Sequence, residues 1–329
     1  MNASVIKTIR TTLLAGALAI GTLTAGTAAA QNLRLGHITP PTHVWHQVSE
    51  KIATDLEAAT DGKMKVAVSP LQRLGNEAQM INLLQSGAQH MAVLTVGGLS
   101  NREQSFLAWS LPYVFDDVAH AARATQTPAA QEMLARLEAH GMIGLGYAFA
   151  GMRHVLSVDP ARGPADLNNK KVRAFPSPVY NDWWSALGAA PTALPLSEVA
   201  PSLTTRLLDA IDIDLDALVG LKFHEQAPNL TLTNHMAFPA AIVVSKRFWD
   251  GLDDAQRQTL RDVIVGAERW GFERAAEADI SNLEKAVADG ATVVEADMEA
   301  FETVGATIRD KYIALDPLIA DFYQQIGDL

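Results

Sequence analysis

The chain has 329 residues, no cysteine and a formal net charge of −11. The lack of cysteine excludes a disulfide framework, thiol nucleophiles, cysteine metal sites and a lipid-anchored cysteine. The acidic balance argues against nucleic acid as a partner, because phosphate binding depends on clustered lysines and arginines. A chain of this length exceeds one typical hydrophobic core, so two domains or lobes are expected.

The first thirty residues have the pattern of an export signal. A basic region, an apolar stretch and small residues follow one another, formed by Lys7 with Arg10, by Leu13–Leu23 and by Ala28–Ala30. A membrane anchor needs roughly 20 consecutive apolar residues, and Gly16 and Gly21 interrupt this shorter run. We therefore predict a signal peptide over residues 1–30 that is cleaved before Gln31, and export to the periplasm.

Beyond the predicted signal peptide, short apolar runs alternate with amphipathic segments. The first block contains predicted strands at Leu33–His37, Met64–Val68 and His90–Leu94, and predicted helices at about Thr42–Ala59 and Asn76–Gln85. The second block contains predicted strands at Ile143–Phe149, Lys171–Ala174 and Leu207–Ile213, and a predicted helix at Tyr180–Leu187. This alternation predicts an α/β fold with helices covering a parallel or mixed sheet. Two such blocks, joined near residue 150, predict two lobes with a crevice between them.

One long helix is predicted towards the C-terminus. From about Asp253 to Ala288 the chain has helical spacing and no proline, with Asp253 or Asp254 as the N-cap and Gly290 as the stop. At ~1.5 Å per residue such a helix measures about 50 Å, which is enough to cross both lobes. A break at Gly271 into two ordinary helices is the alternative.

Two arginines stand in apolar surroundings. Arg173 lies inside a short predicted strand directly before Pro176, and Arg153 lies just before another apolar run. A buried arginine is costly unless an anion pairs with it, and its planar guanidinium suits bidentate capture of a carboxylate. From the residues alone, ligand binding and a structural ion pair remain equal alternatives for each arginine.

Several segments, in order along the chain, resemble one family. Leu167–Tyr180 resembles the signature DLKGLKIRVPPSPVY of the solute receptors of TRAP transporters, the DctP-like family. Other motifs of the family, namely QLGxE, LPYxF, GANPxPMPFSE and KxFW, have counterparts in Arg73–Glu77, Ser110–Phe115, Gly188–Val199 and Lys246–Trp249. The resemblance covers nearly all of the chain after the predicted signal peptide. It implies a periplasmic binding protein fold, in which two α/β lobes with mixed sheets close on a ligand and a long helix spans both lobes.

The resemblance also implies a function and a domain division. It implies a receptor without enzymatic activity or cofactor, which binds a small organic acid and delivers it to the integral membrane subunits of a TRAP-type transporter. We expect a monomer, with lobe I formed by residues 31–150 and about 240–278. Lobe II is then formed by residues 151–239 and about 279–329.

The family motifs assign roles to the two arginines. In this family the arginine of IRVP binds the ligand carboxylate, a role that falls on Arg173. The arginine of a GxR segment commonly assists, and Gly151–Arg153 fits that segment. Both arginines are therefore expected to bind the carboxylate of the ligand.

This chain departs from the family where a ligand would lie. Asp212 stands for the glutamate of TGxVDGQENP and Ile213 for its asparagine, while Leu196 replaces a frequent phenylalanine and Ala150 a frequent polar residue. Because Ile213, Leu196 and Ala150 are apolar, they predict an acid with one carboxylate and an apolar or aromatic body.

The remaining predicted pocket residues lie at strand ends or are aromatic. They are Thr95, His37, Thr39, Phe149 and Phe238. The two aromatic rings are candidates for stacking on a ligand.

Two patterns in the chain are typical of metal sites but are incomplete. His37 lies near two other histidines, but no nearby carboxylate completes a ligand set. Asp212, Asp214 and Asp216 begin like a calcium loop whose required glycine and glutamate are replaced by Ala217 and Phe223. We expect no metal site, although a cation bound beside the ligand carboxylate remains an alternative.

Two other functions are compatible with a carboxylate anchor. An ABC-type amino-acid or organic-acid receptor would need an acidic partner for a ligand ammonium, for which Asp212 and Asp214 are the candidates. A secreted hydrolase or lyase would need a nucleophile or a metal. The sequence shows no Ser-His-Asp order, nucleophile elbow or phosphate loop.

Overall fold

A computed structural model of the chain describes residues 31–329, and the predicted signal peptide lies outside this range. The strands run over Gln31–Gly36 (β1), Met64–Ser69 (β2), Met91–Thr95 (β3), Met142–Ser157 (β4), Lys171–Ala174 (β5), Ala190–Ala193 (β6), Ala210–Asp214 (β7), Asn229–Ser245 (β8) and Thr292–Val294 (β9). They form one sheet in the order β2-β1-β3-β8-β4-β7-β5-β6, and β9 pairs with β8 beside that path.

Thirteen α-helices surround the sheet in the described part of the chain. They run over Val44–Ala59 (α1), Glu77–Ser86 (α2), Val96–Leu99 (α3), Val118–Ala124 (α4), Pro128–Arg136 (α5), Pro164–Leu167 (α6), Pro178–Ala186 (α7), Val199–Thr204 (α8), Leu215–Leu221 (α9), Lys246–Asp250 (α10), Asp254–Ala288 (α11), Met298–Ile313 (α12) and Pro317–Ile326 (α13). Between residues 31 and 329 no helix combines the length and the apolar character that a membrane crossing requires.

The sheet is mixed, and its two ends are built alike. At one end β1 pairs parallel with β2 and β3, and at the other end β5 pairs parallel with β6 and β7. The long strands β4 and β8 lie between these groups and pair antiparallel with each other. The predicted α/β fold, two-lobed with a mixed sheet, is confirmed.

The predicted strand at Ile143–Phe149 is too short, because β4 continues to Ser157. Glycines within this stretch resemble a turn in the sequence, but in the structure they mark irregular pairing with β8. The register shifts between Gly144 and Gly146 and again between Phe149 and Met152. Gly151 has φ +136°, and a Cβ there would lie 2.7 Å from Asp279 Oδ1, so only glycine fits. The junction near residue 150 is therefore the middle of a continuous strand.

The long helix α11 is unbroken over Asp254–Ala288. Asp253 is its N-cap and forms a capping box with Gln256. Gly271 does not break the helix but lets it approach α1, since a Cβ there would lie 2.6 Å from Val48 Cγ2. The single long helix is confirmed, and the alternative of two helices is wrong.

Two buried apolar clusters support the sheet. The larger one includes Trp45, Trp109 and Trp183, and the smaller one includes Leu203, Leu218 and Phe223. Full burial of each such side chain stabilises the fold by ~1.5–3 kcal/mol. The smaller cluster draws only on residues between Leu156 and Ala291, which gives the second half of the chain a core of its own.

A buried carboxyl group on α11 satisfies one irregular position of β4. Glu268 is 7% exposed, and its Oε1 accepts a hydrogen bond of 2.8 Å from the Tyr147 backbone N–H. Burial raises the pKa of Glu268 to about 7, although this hydrogen bond favours the ionised form. The folded state therefore prefers the protonated carboxyl group.

We expect the Glu268→Gln variant to be more stable than the wild type at pH 8 and nearly equal to it at pH 5. The pKa is higher in the folded chain, so Glu268 reduces stability as the pH rises from about 4.5 to about 7. The gain at pH 8 should be ~1–3 kcal/mol in urea unfolding. Glu273→Gln, at an exposed position of the same helix, is the control and should show no such gain.

Candidate functional site

Two cavities meet at Arg173, beside the ends of β1, β5 and β7. The larger has a volume of about 260 Å³ and is lined by Ile38, Gln72, Asn76, Glu77, Ala78, Ile81, Gly98, Asn101, Arg102, Arg173, Phe175, Pro176, Pro195 and Leu196. The smaller, of about 10 Å³, is lined by Ile38, Thr39, Arg153, Arg173, Phe175, Leu196, Ile213, Asp214, Ala217 and Phe238. Both draw residues from the two ends of the sheet, as a cleft between lobes requires.

Arg173 is a buried cation without a carboxylate partner among residues 31–329. It is 2% exposed, and its Nε donates a hydrogen bond of 3.0 Å to Leu194 O. Burial lowers the pKa of Arg173 to about 10 against the attraction of Asp212, so the guanidinium remains charged at neutral pH. Because buried charge is costly without a counter-ion, the site is suited to an anion.

Arg153 lies close by, but the protein neutralises its charge. Its Nε lies 2.9 Å from Asp212 Oδ2, its Nη1 lies 3.5 Å from Asp214 Oδ2, and all three side chains are about 1% exposed or less. Burial alone would raise the pKa of Asp212, but Arg153 outweighs it and holds that pKa well below its usual range. Arg153 also lies over the Phe238 ring, at 4.2 Å from the ring centre. The structure thus assigns a structural ion pair to Arg153.

Glu77 supplies a titratable group to the wall of the larger cavity. It begins α2, and its carboxylate oxygens accept hydrogen bonds from the Thr95 backbone N–H at 2.6 Å and from Thr95 Oγ1 at 2.9 Å. Burial raises the pKa of Glu77 to about 7, against these hydrogen bonds and the charge of Arg173. Near neutral pH the group can therefore either accept or donate a hydrogen bond inside the cavity.

The structure brings six of the predicted site residues to the cavities. Arg173 and Leu196 line both, while Arg153, Thr39, Ile213 and Phe238 line the smaller one. Asp212 and Thr95 lie behind the cavity walls, where they hold Arg153 and Glu77.

The other three predicted residues, like Asp212 and Thr95, line neither cavity. His37 is buried between His46 and Thr39, with hydrogen bonds of 3.0 Å to each side chain. Phe149 packs in the core against Trp109, and Ala150 is its buried neighbour on β4. Phe149 also contacts Phe272 on α11, at 5.3 Å between the ring centres, so its ring packs against a helix, which the sequence pattern did not reveal.

The residues predicted from the sequence do not include the polar wall of the larger cavity. It consists of Gln72, Asn76, Glu77, Asn101 and Arg102. The segment Arg73–Glu77 was recognised as a family motif, and that signal could have located Asn76 and Glu77. Gln72 lines the cavity with φ +58°, a backbone conformation that no local pattern predicts for glutamine.

No group of three or more His, Asp or Glu side chains between residues 31 and 329 is arranged to hold a metal ion. The three histidines that are close in sequence, His37, His43 and His46, make different hydrogen bonds. His43 caps α1 by accepting a hydrogen bond from the Trp45 backbone N–H, whereas His37 and His46 bond to each other.

Comparison with known proteins gives consistent matches over most of the chain. The profile of "Bacterial extracellular solute-binding protein, family 7" (DctP) matches residues 35–315. The chain is 29% identical to the 2,3-diketo-L-gulonate-binding periplasmic protein YiaO of Escherichia coli, over 92% of this chain and 93% of that protein. It is also 29% identical to the C4-dicarboxylate-binding periplasmic protein DctP of Rhodobacter capsulatus, over 78% and 76%.

A solved structure agrees with these matches. A TRAP periplasmic solute-binding protein of a Bradyrhizobium species, in complex with D-galacturonate, superimposes with a TM-score of 0.87. The two chains are 27% identical, and the superposition covers 91% of this chain and all of the other.

We expect the two arginines to differ in their effect on stability without ligand. Arg153→Ala should destabilise the fold by ~3–5 kcal/mol, because it leaves Asp212 and Asp214 buried without a counter-ion. Arg173→Ala should change stability by less than ~1 kcal/mol or increase it, because no buried carboxylate loses its partner. Urea unfolding with the exposed Arg162→Ala as control measures both. Equal losses for the two variants would contradict the assignment.

Proposed function

The chain belongs to the bacterial extracellular solute-binding proteins of family 7, and from this premise we propose that Arg173 binds the carboxylate of its ligand. The protein is a TRAP-type periplasmic solute receptor for organic acids. In such a receptor, the carboxylate of the ligand would neutralise the positive charge of Arg173. The carboxylate would occupy the cleft and form the ion pair that no side chain between residues 31 and 329 supplies.

The absence of a protein counter-ion at Arg173 carries this proposal. Of the two buried arginines in the cleft, Arg153 already has Asp212 and Asp214, whereas Arg173 has one neutral carbonyl partner. A guanidinium can hold a carboxylate through two parallel hydrogen bonds. Closure around the ligand removes water from this pair and strengthens it.

The ligand is a hydroxylated acid of about six carbons rather than an apolar or aromatic one. Of the three residues behind the apolar expectation, Ala150 lines neither cavity, and Leu196 and Ile213 cover only one side. The opposite wall presents Gln72, Asn76 and Asn101, which match hydroxyl groups. YiaO is named for a sugar acid and the Bradyrhizobium protein was solved in complex with one, which supports the same class.

The two alternative functions lack support at the site. An amino-acid receptor would need Asp212 or Asp214 for the ligand ammonium, but both carboxylates face Arg153. A hydrolase or lyase would not be expected in this family, which consists of solute-binding receptors. We therefore propose a receptor that releases its ligand unchanged.

The predicted lobes and partners belong to the same proposal. Lobe I comprises residues 31–150 and about 240–278, and lobe II comprises residues 151–239 and about 279–329. The pairing of β8 supports this division, because its later part pairs with β3 and its first residues with β9. After export and removal of residues 1–30, a monomer would deliver the acid to TRAP-type integral membrane subunits.

A ligand panel tests the acid class. The exported form should be screened by thermal shift and calorimetry against D-galacturonate, L-gulonate, 2,3-diketo-L-gulonate, succinate, benzoate and neutral D-galactose. We expect a sugar acid to bind, with stabilisation of about 2.7 kcal/mol at 100 times its dissociation constant. Benzoate and D-galactose should not bind, since the first lacks hydroxyls and the second lacks a carboxylate.

Arg173→Ala tests the carboxylate partner. It should weaken binding of the same acid at least ~100-fold, because it removes a charge-assisted bidentate pair. Arg173→Lys should recover part of the affinity, and Arg162→Ala should bind like the wild type. Unchanged affinity in Arg173→Ala would refute the assignment, and exclusive binding of benzoate would refute the ligand class.

A further inference from the structure

The N-termini of α1 and α9 meet beside the ligand cavities. These helices follow β1 and β7, which are separated in the sheet by β3, β8 and β4. His43 Nε2 nevertheless lies 3.4 Å from Asp214 Oδ1 and 3.9 Å from Asp216 Oδ2. The Val44 backbone N–H also donates a hydrogen bond of 2.7 Å to Asp216 Oδ2. We call this set of interactions the α1–α9 contact.

One hydrogen bond determines which ring nitrogen of neutral His43 carries the proton. Its Nδ1 accepts the cap bond from the Trp45 backbone N–H at 3.1 Å, so the neutral ring carries its proton on Nε2. Burial lowers the pKa of His43, but Asp216 and Asp214 outweigh it and raise the pKa overall. In both charge states Nε2 carries a proton towards the two carboxylates, and the ring is fully buried.

The carboxylates of the contact are held from several sides. Asp214 Oδ1 caps α9 through the Ala217 backbone N–H at 2.8 Å, and Asp216 Oδ1 accepts a hydrogen bond of 3.2 Å from Asn282 on α11. A carboxylate at the N-terminus of α1 is also favoured by the helix dipole.

The backbones approach closely at the same place. A Cβ at Gly220 on α9 would lie 2.7 Å from Thr42 Oγ1 and 3.0 Å from Pro40 Cγ. Glycine is therefore required for this closeness of α9 to the segment before α1. All of these interactions are formed between atoms of the protein, so the α1–α9 contact does not depend on a bound ligand.

We propose that His43 and Asp216 are positioning residues for ligand binding, which hold the two sides of the cleft together through the α1–α9 contact. Neither residue lines either cavity. They would act on affinity by populating the closed arrangement, because the apparent dissociation constant rises as the competent fraction falls. The effect on affinity rests on the proposed receptor function, whereas the effect on closure does not.

Two substitutions separate this role from helix capping. In His43→Asn the side-chain oxygen still caps α1 but cannot reach Asp214, and in Asp216→Asn the acceptor for Val44 remains while the charge is lost. We expect each to raise the dissociation constant of the best acid about 5–10-fold at constant pH. Both variants should remain folded, and their melting temperatures without ligand check this. His140→Asn, a surface histidine paired with Glu103, is the control.

A distance measurement tests closure without any ligand. The chain has no cysteine, so cysteines at the exposed Ala58 on α1 and Thr204 on α8 can carry a spin-label pair. We expect His43→Asn and Gly220→Ala to shift the ligand-free distances to longer values, and a saturating acid to restore the shorter ones.

The outcomes distinguish this proposal from the receptor function. Wild-type affinity and wild-type distances in His43→Asn and Asp216→Asn would overturn the positioning role. If no acid bound the wild type, the ligand proposal would fail, and the distances alone would decide the role of the contact.

Discussion

The unequal neutralisation of two buried arginines organises the cleft. Arg153 is enclosed by Asp212 and Asp214 on β7, so its charge stabilises the junction of β4 and β7. Arg173 lies on β5, the strand next to β7. Within residues 31–329 its side chain has only the Leu194 carbonyl as a hydrogen-bond partner. Arg173 is thus a cation that faces the cavities without a paired carboxylate, which is energetically costly. A ligand carboxylate in the cavity can supply the missing negative charge. Arg153 therefore stabilises the site, and Arg173 is the cation that we propose binds the ligand carboxylate.

Local sequence signals predicted the elements whose determinants are local. The strand at Lys171–Ala174 and the N-cap at Asp253 follow from short apolar patterning and capping chemistry, and both were predicted at the correct positions. The ion pair of Arg153 could not be derived in this way, because Asp212 lies 59 residues away and meets it only through antiparallel pairing. The strand β8 was not predicted, and it contains Asn234 and Pro239, residue types that are depleted in strands.

The proposed sugar acid differs from the acid expected from the sequence because that expectation considered only one wall of the cleft. Leu196 and Ile213 are apolar and do face the cavities, but they belong to the second half of the chain. The hydrogen-bonding groups come from the loop before α2 and from the end of α3. An apolar wall opposite a polar wall suits a sugar acid, whose ring has one face of C–H groups and an edge of hydroxyls. Such a pairing of walls becomes visible only when the two halves of the chain are brought together.

The continuous strand β4 determines how the two halves can move. It carries hydrogen bonds to β8 on both sides of Gly151, so no flexible linker separates the lobes. Any rotation of one lobe against the other must bend this two-stranded ribbon, most easily where the register shifts. The bending stiffness of the ribbon would therefore oppose such a rotation, least of all at the register shifts. The bending stiffness of β4 would thereby affect both capture and release of a ligand, in addition to the place of its Arg153 in the wall of the smaller cavity.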